Sequence, residues 1–250
     1  MSRQISAIGR WRKCCLRIRK RDMPRRALVN KRPYLVLSVA AALAFYYMRA
    51  SALPEIYLVP IKGCAVGFLA LYAWMRHSSC SARILTAALI AGAVGDMAIE
   101  FDLRAGAAAF FVFHALALVV FLRNRGEPLE GRDSLIFILL LLATPFIAYL
   151  LPYDDRVSLP AAIYALALGA MAAGAWASNF ARLRVAAGAM LFIVSDLLKI
   201  AEMGPLSGSA VPQYLVWPIY YLGMFLITVG IVTTLRKRDP ELRVVRGGQH

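Results

Sequence analysis

Two acidic residues a hundred positions apart sit inside otherwise apolar stretches: Asp96 in AGAVGDMAIE and Asp196 in LFIVSDLLKI. Each follows a small residue, Gly95 or Ser195. A carboxylate in a hydrocarbon layer is expensive and is kept where it is paired or used. Two carboxyl groups in such a place can give and take protons, in acid–base catalysis or in proton coupling. The same apolar segments hold Lys62, His114, Lys199 and the pair Tyr220-Tyr221. These residues nearly define where chemistry can occur.

The elements that must position them are helices. The chain has 250 residues, 60% of them hydrophobic and only 17% charged, with a mean hydropathy of +0.63. A soluble domain of this size needs more polar surface. Apolar runs of about 15 to 22 residues fall near 33–49, 55–75, 83–100, 105–122, 134–151, 160–178, 184–203 and 212–235. A span in lipid must satisfy its own backbone, so each run is expected to be a helix. The expected fold is therefore all-α: an eight-helix transmembrane domain over 33–235, between basic tails at 1–32 and 236–250.

Charge placement sets the expected orientation. Of 29 Lys and Arg, twelve lie in residues 1–32, five follow residue 235, and seven occupy the loops after spans two, four and six. The opposite side has only Arg49, Arg104 and Arg156, and Lys62 and Lys199 lie within spans. This bias predicts that both termini are cytoplasmic. The net charge of +15 then reflects topology rather than nucleic-acid binding. The basic segment RWRKCCLRIRKR reads as a cytoplasmic anchor, and no apolar h-region of a secretory signal precedes it. Cysteines 14, 15, 64 and 80 lack metal-ligand spacing, and no Gly-rich phosphate loop, HExxH or GxSxG occurs. Neither a metal nor a cofactor is expected.

With this topology Asp96 lies about 6 Å of helix from the outer end of its span. Asp196 lies roughly 10 Å, Lys62 roughly 11 Å and His114 roughly 13 Å from the same face. Four helices thus bring polar residues to one layer, which predicts a pocket open to the outer leaflet. Each residue also has a plainer reading. The lysines can serve as counter-charges, with Lys199 one turn from Asp196. His114 can hydrogen-bond across helices. Glu100 and Asp102 sit at a wet helix end, and Tyr46, Tyr47, Tyr57 and Trp74 suit interfacial anchoring. Tyr220 and Tyr221 are deeper, where a phenol needs a partner or a ligand. Spans three and seven both read small-Asp, an apolar turn, then Glu100 or Glu202, a pattern expected of two parallel four-helix repeats.

In their order and spacing these residues resemble the YhhN-like family, which includes lysoplasmalogenases. The resemblance covers roughly residues 34–235. It rests on Lys62, Gly95-Asp96, Gly106, Phe110, His114, Gly188-Ala189, Phe192, Ser195-Asp196 and Tyr220-Tyr221. Gly63, Ala117 and Met224 stand where the family often has Pro, Tyr and Gln, departures that bear on substrate preference. The resemblance implies hydrolysis of the vinyl ether of a lysoplasmalogen in the bilayer to a fatty aldehyde and a glycerophospho-alcohol. It implies Asp96 and Asp196 as catalytic residues, with Lys62, His114, Ser195, Lys199, Tyr220 and Tyr221 binding substrate. The expected partner is a lysophospholipid, and the expected location a bacterial cytoplasmic membrane.

Vinyl ethers hydrolyse by protonation of the outer alkenyl carbon, and water captures the resulting oxocarbenium ion. Glycosidases divide comparable work between two acids. The corresponding assignment makes Asp96 the general acid and Asp196 the base or stabiliser. Two other classes compete: a proton-coupled transporter of small solutes or lipids, and a non-catalytic lysolipid-binding protein. The inner halves of spans three and seven, RILTAALIAG and RVAAGAMLFI, carry no ionisable residue beyond their terminal arginines, which argues against a path through the membrane. For the topology, reporter fusions after residues 124 and 240 should both read cytoplasmic; a periplasmic signal at either requires a different number of spans.

Overall fold

The computed structural model describes residues 32–51 and 54–238. The tail over 1–32 lies, but for Arg32, outside the described residues, as does the chain beyond Arg238. Eight helices make up the described residues: α1 (Arg32–Met48), α2 (Glu55–Arg76), α3 (Cys80–Ala98), α4 (Leu103–Arg123), α5 (Arg132–Leu150), α6 (Asp155–Trp176), α7 (Val185–Ala201) and α8 (Ala210–Lys237). No strand occurs among them, and a single isolated bridge, Arg125 to Ser178, joins two loops.

Local chemistry explains several boundaries. Ser79, Asp102, Asp154 and Ser209 accept hydrogen bonds from backbone N–H groups in the first turns of α3, α4, α6 and α8, satisfying donors that have no partner within the helix. Asp102, expected at a wet helix end, does this work for α4. Prolines 60, 145, 160 and 218 lie inside helices, as membrane helices tolerate.

Six helices, α2 to α6 and α8, are long and apolar enough to cross a membrane, as befits a multi-pass membrane protein. The remaining two, α1 and α7, have 17 residues each. At 1.5 Å per residue that is about 25 Å, short of a hydrocarbon core about 30 Å thick. The eight apolar runs expected from composition therefore correspond to eight helices, of which α7 is clearly shorter than the run over 184–203 that announced it. In α7 the helix stops at Ala201 and the chain continues as turns through Gly208.

Consecutive helices pack on one another except α4 and α5, and contacts of α4 with α6 and of α2 with α8 close the bundle. The buried centre is filled by Leu69, Leu85, Leu89, Phe113, Phe121, Phe192, Met224, Ile227 and Ile231. On α5, by contrast, Leu135, Ile138, Leu139, Leu142 and Phe146 face outward, a distribution suited to lipid rather than water.

The closest backbone approach that matters for the site is between α7 and α8. A Cβ built on Gly188 would stand 2.8 Å from the Gly223 carbonyl oxygen, and one on Gly223 would stand 2.8 Å from the Gly188 carbonyl oxygen. Small residues at such a crossing let two membrane helices pack by backbone contact. Replacing Gly188 with Val should force α7 and α8 apart and destabilise the fold by about 1–3 kcal/mol. The expected readout is a lower thermal unfolding midpoint in detergent; an unchanged midpoint would show that the crossing does not depend on the missing side chain.

Candidate active site

Two clusters form around the two acids. Asp96 is 2% exposed, near the end of α3, and its Oδ2 accepts a hydrogen bond of 2.8 Å from the Tyr220 hydroxyl of α8. Beside it Lys62 Nζ of α2 lies 2.5 Å from Glu100 Oε1 and sits over the rings of Phe45 and Trp217, 5.5 and 5.7 Å from their centroids. Gly95 matters here because a Cβ on it would come within 3.1 Å of the Phe110 ring. Its missing side chain lets that ring lie against α3 next to the acid.

The second cluster centres on Asp196 of α7, whose side chain is 15% exposed. Its Oδ2 accepts a 2.5 Å hydrogen bond from the Tyr164 hydroxyl of α6. That hydroxyl is also 3.1 Å from His114 Nε2 of α4, and the imidazole nitrogen stands 3.6 Å from Asp196 Oδ2. His114 is wholly buried, and its Nδ1 has no hydrogen-bond partner. A buried polar atom left unpaired is costly, so this nitrogen is a notable feature of the site.

Aromatic rings join the two clusters. Phe192 is 5.1 Å from Tyr220 and 5.0 Å from His114, centroid to centroid, and both pairs meet edge to face. Phe110 packs edge to face on Phe192 and Tyr220, while Phe113 stacks on Phe192 at 5.2 Å.

The structure thus brings Asp96, Asp196, Lys62, His114 and Tyr220 into one aromatic-walled region, His114 more centrally than its apolar neighbourhood in the sequence implied. Three expected residues are engaged elsewhere. Lys199 does not compensate Asp196; it bonds to Glu202, because its long side chain reaches the wetter end of α7 instead of turning inward. The Tyr221 hydroxyl pairs with Ser38 at 2.7 Å, tying α8 to α1. Ser195 donates to the Val216 carbonyl at 3.0 Å, fixing α7 to α8 beside Pro218. Glu100, expected to be merely wet, is the counter-charge of Lys62. Tyr164 is the residue that sequence reasoning missed. Its signal was a phenol in the middle of an alanine- and leucine-rich span, the same signal that singled out Tyr220.

The fold and site define an all-helical, multi-pass membrane-type bundle with two polar clusters, each built on a carboxyl group that accepts from a phenol. The YhhN family model matches residues 57–231, and the chain belongs to the YhhN family. The match runs from α2 into α8 and leaves out α1, although α1 supplies Phe45 and Ser38 to the packing around the site. No curated protein and no solved structure matches the chain.

Replacing Tyr164 with Phe removes one hydroxyl that bridges Asp196 and His114. Hydrogen bonds to charged groups contribute about 1.5–3 kcal/mol, so the variant should fold but unfold at a lower temperature. An unchanged unfolding midpoint would mean that Asp196 and His114 satisfy each other without the phenol.

Proposed function

We propose that the protein is an intramembrane hydrolase that cleaves the vinyl ether of lysoplasmalogens, releasing a fatty aldehyde and a glycerophospho-alcohol. The observation that carries this reading is the pair of acids, each hydrogen-bonded to a tyrosine, with aromatic rings between their clusters. In the proposed reaction Asp96 delivers its proton to the outer alkenyl carbon, converting the vinyl ether to an oxocarbenium ion. Asp196 takes a proton from the water that adds to this ion, and the hemiacetal so formed collapses to aldehyde and alcohol. One water is consumed, and the proton gained by Asp196 returns to Asp96 before the next turnover.

The different exposure of the acids supports this division of labour. Asp96 is shut away with only a phenol bonded to it, whereas Asp196 retains some access for the water it must activate. The faces of Phe110 and Phe192 offer quadrupole attraction to a transient cation. The apolar walls suit an alkenyl chain, and family membership favours a lipid-directed hydrolase over the transporter or passive binder.

The same reading includes eight membrane crossings with cytoplasmic termini and two related four-helix halves. The partner pattern supports the relation between halves: Asp96 of α3 is served by α8, and Asp196 of α7 by α4. The fourth helix of each half thus contributes to the acid of the other.

Replacing either aspartate with Asn preserves size and removes proton exchange. Loss of a positioned acid or base typically costs about 10²–10⁴ in rate. Purified Asp96→Asn and Asp196→Asn should therefore fold, bind lysolipid and release almost no aldehyde from a lysoplasmalogen that the parent hydrolyses. A matched saturated ether lysolipid should yield no aldehyde with any variant. Near-parental turnover by both folded Asn variants would make the carboxyl groups structural and sink the mechanism.

A further inference from the structure

Along α8, three aromatic residues at intervals of three face three ionisable groups in succession. Tyr214 lies under the Arg49 guanidinium, 5.4 Å from its carbon. Trp217 lies under Lys62, and Tyr220 bonds Asp96. Arg49 also sits over Tyr46, at 4.8 Å, and its N–H extends the helical bonding of α1 to the Phe45 carbonyl. It therefore stands one turn beyond Phe45, which itself lies under Lys62. Arg49 of the α1 end and Lys62 of α2 thus sit in turn on aromatic rings of α1 and α8, and the next ring along α8 bonds Asp96.

The two cations differ in one respect. Glu100 matches the charge of Lys62. Among the described residues, no carboxylate pairs with Arg49, and its only recorded side-chain contacts are the two rings. It is half-buried, while Arg104 and Arg156, the other basic residues expected on this face, are exposed. A guanidinium held on aromatic faces keeps its planar fork of donors free for an oxyanion, a geometry that suits phosphate.

We infer that Arg49, seated on Tyr46 and Tyr214, is the binding subsite for the phosphodiester headgroup of a lysophospholipid. The inference rests on the proposed lipid substrate and adds what recognises its polar end. The dimensions agree. From Tyr214 to Tyr220 the helix rises about 9 Å. From phosphorus to the outer alkenyl carbon of a lysoplasmalogen runs a path of seven bonds, about 8–9 Å when extended. A phosphate on Arg49 thus sets the carbon that must be protonated at the level of Asp96.

The test is binding without turnover. A saturated ether lysophosphatidylcholine and the corresponding 1-O-alkylglycerol are titrated into the full-length protein and into Arg49→Ala, with tryptophan fluorescence as the readout. The parent should bind the phosphodiester lipid about 10- to 100-fold more tightly than the alkylglycerol, the range expected for a charge-assisted contact. In Arg49→Ala that preference should vanish while alkylglycerol affinity stays the same. Equal weakening of both lipids would mark Arg49 as structural, and no weakening would leave it outside the site; either result overturns the inference. Displacement of the lipid by millimolar inorganic phosphate alone would replace the headgroup subsite with a site for a soluble anion. Because aldehyde release plays no part in these measurements, failure of the subsite and failure of the hydrolase reading are separately visible.

Discussion

A carboxyl group inside an apolar bundle must find partners, and in this protein each acid finds them on other helices. Asp96 of α3 depends on Tyr220 of α8; Asp196 of α7 depends on Tyr164 of α6, with His114 of α4 alongside. Leaving one such group unsatisfied costs about 1–3 kcal/mol, and more when it is charged. Apolar packing alone discriminates poorly among helix arrangements in lipid, because the tails are as apolar as the side chains. The two polar clusters therefore specify which helices meet and at what rotation, and the surrounding packing must accommodate that choice.

Small residues make the accommodation possible. Gly95 admits the Phe110 ring against α3, and the Gly188–Gly223 crossing draws α7 onto α8 until their backbones touch. With α7 and α8 that close, Phe192 can lie between Tyr220 and His114, so that the clusters are joined by rings and not by a continuous hydrogen-bond chain. The arrangement keeps two proton-handling groups in one region without directly connecting them.

The helices were legible in the sequence because membrane spans announce themselves as long apolar runs, and the positions of the two acids were legible because an ionisable residue stands out in such a run. Partner choice was less so. Lys199 was read against its own helix, one turn from Asp196, but its flexible stem carries the ammonium toward Glu202 and the wetter end of α7. Lys62 likewise reaches outward to Glu100 from a deeper attachment point, as long cationic side chains do near an interface. Tyr164 is harder to single out than Tyr220 because it stands alone in its span, whereas Tyr220 is one of an adjacent pair. The length of α7 is overestimated from the sequence because hydropathy persists into the turn that ends it.

The likeness of the two clusters is limited to their plan. In each, two consecutive helices meet a helix distant in the chain: α2, α3 and α8 bring Lys62, Asp96 and Tyr220 to one, and α6, α7 and α4 bring Tyr164, Asp196 and His114 to the other. The contents diverge. The first cluster carries a lysine–glutamate pair and an acid closed from solvent; the second carries an imidazole and an acid that is partly open. Different surroundings push two carboxyl groups towards different protonation states. Environments that differ are what allow one carboxyl group to act as an acid while its counterpart acts as a base. The asymmetry between two otherwise similar clusters is therefore the feature on which the proposed division of acid–base work rests.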